Sequence, residues 1–576
     1  MNPRALVALA AVAALGAAAC GSSSTSTSPG TGSGKPGPAL VEEANTGVTF
    51  TQNFNPFDSS STAKAMNMTS LVYKPLFEFD ALNPAEIHPW LGTKYSFDST
   101  GQNLTVTIRS GVKWNDGSAL TANDVAFTFS LIMNNSAAND NGVPTQSSAP
   151  TVSGDTVTLH FATAQYTNLN SILGSQLIVP QKQWTSVSTP ATATIATPVG
   201  SGPFMLSSFS TQVIKFKPNK YYWGGTPPES EVDVPYYATN DAASQALVAG
   251  TLDWAGNDIA NVYANYVDLN PSTNHAWFAP GNTVTLWFNV SGANAVPALE
   301  DAQVRLAISA GIDRTALAEL GESGYEQPAT SSSGLELPSQ SAYLTAAQTN
   351  DLEADNDPAK VNKIITADGY TAPAAGAGSC TSASGAAPAV PANCYTKGGT
   401  PIVFAIEDPV PYSDYWEDDQ LIVSELNSEG IAAWSKGDNP DTGWYTDMGD
   451  GNFQSMIHWG NGGATPFVQL QNWLDSSQPE SAGDYGKYVN ADAAAALTTL
   501  EGTNPDNTAA VTTAVQTLTN IISTNAPVVP LLYGADWNVY STAHYVGWPD
   551  GANPYMDPSP DDPQLPYILM QLKAVG

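Results

Sequence analysis

From Leu104 to Arg109 apolar and polar residues alternate: Leu104, Val106 and Ile108 take one side, Thr105, Thr107 and Arg109 the other. A period of two predicts a strand with one buried face. Val157, Leu159 and Phe161 repeat the pattern. Elsewhere the period is helical. Thr121 followed by Asp124 reads as a capping start, after which Val125, Phe129, Ile132 and Met133 share one face. Asp357 suits a cap, Pro358 a first turn and Gly369 an end, with Val361, Ile364 and Ile365 as the stripe between them. Val511, Val515, Leu518 and Ile522 predict a further helix before strand-like Val528 to Tyr533. Strands and helices are mixed along the chain without an internal repeat, which places the fold in the α/β class.

The N-terminal segment follows a different logic. Arg4 precedes an apolar run from Ala5 to Ala19, shorter than the roughly 20 residues a membrane-spanning helix needs. Ala17, Ala18 and Ala19 precede Cys20, so residues 1–19 read as a signal peptide and the protein as exported. Cys20 resembles the lipidated cysteine of a bacterial lipobox, although Ala17 stands where Leu is usual. Residues 20–39 are mostly Gly, Ser, Thr and Pro, a flexible tether that reaches roughly 25 Å as a random coil. Residues 371–399 form a second Ala/Gly/Ser/Pro stretch, expected as a surface loop.

Composition narrows the function. The 576 residues suffice for several domain-sized units, and 42% are hydrophobic, which fits a folded protein. A formal net charge of -34 repels phosphate backbones and excludes nucleic-acid binding. Cys380 and Cys394, the other two cysteines, read as a disulfide in an exported chain. The five histidines (His88, His160, His275, His458 and His544) stand at no metal-ligand spacing, so no metal site and no cofactor is expected. Nucleophile elbow, zinc motif and nucleotide fingerprint are missing from the sequence, which argues against an enzyme. A secreted glycosidase with paired carboxylates is the enzyme alternative, and a surface adhesion module the other rival.

Six stretches carry a resemblance. They are Arg109-Ser-Gly-Val-Lys-Trp-Asn-Asp-Gly-Ser-Ala-Leu-Thr-Ala-Asn-Asp-Val125, Val199-Gly-Ser-Gly-Pro-Phe204, Gly250-Thr-Leu-Asp-Trp254, Leu286-Trp-Phe-Asn289, Val304-Arg-Leu-Ala-Ile-Ser-Ala-Gly-Ile-Asp-Arg314 and Asp357-Pro-Ala-Lys360. In order and spacing they resemble solute-binding protein family 5 of ABC transporters, the peptide, nickel and oligosaccharide binders. The resemblance implies a two-lobe periplasmic-binding-protein type II fold (cluster C) with an extra domain in the N-terminal lobe. It also implies a monomer that closes its hinge on a small solute and hands it to an ABC permease. The expected division is 40–75, 195–285 and 525–576 for lobe I, 76–194 for the extra domain and 286–524 for lobe II. The landmarks themselves read as scaffold: Asn115-Asp116-Gly117 suits a turn, and Arg305 and Asp313 are expected on a solvated helix face.

Peptide-binding relatives usually carry a Trp followed three residues later by an Asp that pairs with the peptide ammonium. Here the matching stretch runs His458-Trp459-Gly-Asn461-Gly462, so the Asp position holds Gly462. A buried ammonium without a partner is costly. The stretch resembles oligosaccharide-binding members more, as does, loosely, Gly547-Trp-Pro-Asp-Gly-Ala-Asn-Pro-Tyr555. Sugar rings stack on aromatic faces, and their hydroxyls need groups that both donate and accept. Trp254, Asn257, Asp258, Trp459, Asn461, Phe467, Tyr533, Trp537 and Asn538 supply that mixture and are the expected ligand contacts. Ordinary core packing is the alternative for each aromatic, and an oligopeptide is the alternative solute.

Overall fold

The computed structural model describes residues 37–576 apart from 44, 84–85, 257–258, 260, 353, 375–377, 379, 381–392, 411, 440–442, 461–465 and 478–482. Cys20, Asn257, Asp258 and Asn461 lie outside the described residues. Two large sheets organise the chain. The first has the order Asn274–Ala276, Val539–Ser541, Trp254–Ala255, Ala39–Glu43, Glu231–Pro235, Val213–Pro218, Phe204–Phe209. The second has the order Gln327–Pro328, Val528–Asp536, Ala279–Phe288, Ser455–His458, Val403–Pro409, Ala432–Asp438. Each is the centre of one lobe of an α/β fold.

The alternating segments behave as their pattern dictates. Asn103–Ile108 and Thr156–Phe161 pair antiparallel within a separate four-stranded sheet, and their apolar sides are buried. Helix Ala122–Asn134 covers that sheet and starts with a full capping box between Thr121 and Asp124. Helix Pro358–Ala367 begins with Asp357 accepting from the Lys360 amide at 2.9 Å. Thr508–Asn525 runs into strand Val528–Asp536.

Three expectations change. Gly37 donates to the Pro228 carbonyl at 2.8 Å, so the chain is tied to the first sheet from there and residues 37–39 do not belong to the tether. Strand Val528–Asp536 pairs along its length with Ala279–Phe288 in the second sheet. Residues 279–285 and 528–536 therefore belong to the second sheet, whereas the expected division groups them with lobe I. Arg305 is not solvated. It is 2% exposed, because its Nη1 donates to the Leu299 carbonyl at 2.6 Å and its Nη2 to the Asn525 carbonyl at 2.7 Å.

The two sheets are joined at two crossings. The chain passes from one sheet to the other at Trp277-Phe278 and again at Trp537-Asn538. The two crossings run side by side, and the Trp277 amide donates to the Asn538 carbonyl at 2.9 Å. In the first sheet Ala39–Glu43 and Trp254–Ala255 are parallel, and Ala255 pairs with Val539 just past the crossing. In the second sheet Ser455–His458 is antiparallel to Ala279–Phe288 and parallel to Val403–Pro409. The carboxyl ends of the parallel strands in both lobes thus point at the crossings. In open α/β sheets a ligand crevice forms at those ends.

Candidate functional site

In the second sheet the strand ending at His458 leads directly into Trp459, at the carboxyl end that points toward the crossings. Trp459 is half-buried, with ring centres of Tyr415, Trp444 and Tyr445 at 6.1, 5.8 and 6.4 Å. His458 is buried beneath it and stacks on Trp444 at 5.2 Å. Its Nδ1 lies 2.5 Å from the Trp459 carbonyl, and burial lowers its pKa to about 4, so the ring is neutral at physiological pH. This agrees with a packing and hydrogen-bonding role.

At the crossing itself Trp537 is half-buried and sits 4.9 Å from the Phe278 ring and 5.8 Å from the Tyr325 ring. Tyr325 comes from lobe II, and its hydroxyl accepts from the Val262 amide of lobe I at 2.7 Å. Exposed Tyr263 continues this aromatic patch. Phe278, Tyr325 and Tyr263 escaped the sequence reading, since no pattern distinguishes them from core aromatics.

Other expected contacts are placed in the scaffold. Trp254 is fully buried, packs on Trp548 and donates from Nε1 to the Asn538 Oδ1 at 2.8 Å. That bond holds one crossing on the first sheet, and it makes Asn538 a buried structural residue. The Trp548 stretch likewise belongs to the lobe I core. Tyr533 is buried, its hydroxyl 3.1 Å from the Thr330 amide. Phe467 is buried in lobe II and lines a cavity of about 260 Å³ where Tyr166 and Thr167 meet Thr503 and Thr508.

A group of acids gathers beside the crossing. Glu42 and Glu43 end the first strand, Asp536 ends the strand before the crossing, and Asp557, Asp561 and Asp562 lie in the loop before helix Leu565–Gln571. Burial raises the pKa values of all six, with mutual repulsion adding for most of them; Glu43 rises to about 8. Nothing in the sequence marks these residues as a group, since acids usually stay solvated, and only convergence in space reveals it. A second acidic group, Glu407, Asp438 and Asp447, surrounds Lys436 at 2.7, 3.9 and 2.9 Å. Among the described residues these two are the groups with ligand atoms close enough to share an ion.

The comparisons with known proteins fit this geometry. The family model described as bacterial extracellular solute-binding proteins, family 5 (middle part), matches residues 86–481, well over half of the chain. The chain belongs to that family. Among curated relatives, Protein XP55 of Streptomyces lividans is 28% identical over 236 residues, covering 40% of this chain and 41% of the relative. The oligopeptide-binding protein OppA of Lactococcus lactis subsp. cremoris is 24% identical over 313 residues, covering 48% and 51%. The matches span two fifths to about half of those relatives. Among solved structures, a periplasmic oligopeptide-binding protein of Thermotoga maritima bound to mannohexaose superposes with TM-score 0.77 at 23% identity, covering 94% of this chain and 99% of that one. AppA of Bacillus subtilis, in complex with a nonapeptide, gives 0.71 at 18%, covering 94% and 100%. These likenesses establish the two-lobe type II fold of family 5. Among the described residues no helix is long and apolar enough to cross a membrane.

Proposed function

We propose that this family 5 protein is an extracytoplasmic binding protein, not an enzyme, that captures an oligosaccharide between its lobes and delivers it to an ABC permease. The aromatic surfaces facing the crevice carry this reading: Trp459 on lobe II, and Trp537 with Phe278, Tyr325 and exposed Tyr263 at the crossing. Stacked rings bind the apolar faces of sugars. Gly462, where peptide binders place an ammonium-pairing Asp, points the same way. An export signal, a lipid on Cys20 and a disulfide between Cys380 and Cys394 complete the proposal. The last has geometric support, since the two buried cysteines sit with Cα atoms 5.0 Å apart.

A basic oligopeptide is the second reading, favoured by the buried carboxylates at the crossing. Calorimetric titration with gluco-, xylo- and manno-oligosaccharides beside a di- to pentapeptide library separates the two. The expected result is micromolar binding of a sugar without its hydrolysis, weakened at least about tenfold in Trp459→Ala, because a lost stacking ring costs on the order of 2–4 kcal/mol. Binding of peptides with no response to any sugar overturns the sugar assignment.

A further inference from the structure

Two acidic groups in this protein have the same density of carboxylates and different surroundings. Glu407, Asp438 and Asp447 have their cation built in, because Lys436 reaches all three. The group at the crossing has none: among the described residues no Lys or Arg forms an ion pair with Glu42, Glu43, Asp536, Asp557, Asp561 or Asp562.

We propose that the group at the crossing is a binding site for a hard divalent cation, calcium in the first instance, which ties the crossing strand to the C-terminal loop. One ligand oxygen each from Asp536, Asp557 and Asp562 lies within 4.8 Å of the others. Oxygens around one calcium ion sit about 2.3–2.6 Å from it and so up to about 5 Å apart. The three residues come from two segments that meet only in the folded chain. The donors are all carboxylate oxygens, the set that calcium takes and that zinc or copper sites seldom use alone.

An independent observation comes from Glu42 and Glu43. They are 0% and 1% exposed, and all four of their carboxylate oxygens lack a hydrogen-bond partner among the described residues. Asp561, next to Asp562 in the C-terminal loop, lies close enough for its charge to act on both glutamates, as it does on Asp536 and Asp557. Asp557 is within hydrogen-bonding reach of both Asp536 and Asp562, and one oxygen on each of the three has no donor among the described residues. Buried carboxylates without donors cost several kcal/mol unless a cation or proton offsets them. The backbone also leaves room for the group. A Cβ at Gly281, on the neighbouring crossing strand, would stand 1.8 Å from the Asp536 Oδ2, so any side chain there would push the carboxylate out. The loop is held from below, where Asn67 Nδ2 donates to the Asp561 carbonyl and Ser559 Oγ to the Asp561 side chain.

The test uses the mature protein stripped with chelator and kept free of solute. Titration with CaCl2, by calorimetry and by thermal melting, is compared with NaCl at matched ionic strength and with spermidine and a lysine-containing peptide. The site predicts saturable one-to-one calcium binding and a rise in Tm beyond the NaCl control. Asp536→Asn and Asp562→Asn should each weaken calcium binding at least tenfold. Asp447→Asn, in the group that holds Lys436, should leave it unchanged. The Asn substitutions relieve repulsion, so apo variants should melt no lower than the parent, and circular dichroism checks that they are folded. No calcium response beyond NaCl overturns the proposal, as does calcium binding that survives both substitutions. Saturation by spermidine or the peptide with none by calcium also overturns it and makes the group a subsite for a cationic solute. Sugar binding is measured separately, so a failure of the oligosaccharide reading leaves this result standing.

Discussion

Arg305 and His458 show what burial does to a polar side chain when its partners are fixed. Besides the bonds from its Nη atoms, the Arg305 Nε donates to the Ala526 carbonyl at 2.9 Å, so one planar fork joins its own helix to the end of helix Thr508–Asn525. A lysine cannot reproduce a fork. Arg305→Lys should therefore destabilise the protein by about 2–4 kcal/mol in urea unfolding; a loss under about 0.5 kcal/mol, the scale of an ordinary surface change, would contradict this account. For His458 the sign of the pH effect follows from its pKa of about 4, below the ordinary value of about 6.5. The folded state favours the neutral ring, so the stability is fully present above about pH 6.5 and is lost as pH falls toward 4. The shift corresponds to about 3 kcal/mol. His458→Phe should flatten the pH dependence of stability in that window, and an unchanged slope would show that the ring does not titrate as described.

At the scale of elements, two of the landmark stretches form one packed joint. The Asn115 amide donates to the Gly200 carbonyl at 2.9 Å, which ties the 109–125 stretch to the 199–204 stretch. That second stretch lies against the end of helix Thr69–Val72. A Cβ on Gly200 would stand 2.0 Å from the Val72 carbonyl oxygen, and one on Gly202 2.3 Å from that of Leu71. Glycine is needed at both positions for close backbone approach. Gly200→Ala must move the joint and should cost about 1–3 kcal/mol or more, read as a lower Tm. The control Gly154→Ala tests generality, because a Cβ there meets nothing within 4 Å and only its positive φ of 59° opposes the change. An equal loss for both substitutions would rule out the steric explanation.

For the whole molecule the acids set the response to pH. Burial raises Glu326 to about 8 and Glu425 to about 7. Groups raised above their unfolded pKa stabilise the fold fully below about pH 4.5, and that stability is lost as pH rises through 7 to 8. The general repulsion within a chain of formal charge -34 acts in the same direction. Tm should be lower at about pH 8 than at about pH 6.5, with His458 contributing little in that interval. Added NaCl should restore only the part due to exposed charges, because buried groups are screened less. A Tm that rises with pH over this interval would contradict the raised values.

The sequence by itself determined the local elements and the family. Alternation at 103–108 and 156–161, caps at Thr121 and Asp357, and glycines in a fixed order report on backbone conformation within a few residues, which short-range sterics and hydrogen bonds control. It also supplied Trp459 and Trp537, two proposed contacts that are half-buried in the folded chain. Only the tertiary structure decided that Trp254, Phe467 and Tyr533 are buried in the scaffold, because an aromatic residue in a strand or helix reads the same whether its face meets a core or a cleft. It alone brought Glu42 and Glu43 to the same place as Asp536 and the Asp557–Asp562 loop, from segments some 500 residues apart in the chain. Charge in a sequence has no position, and an acid reads as solvated until folding removes the water around it and leaves other acids as its neighbours.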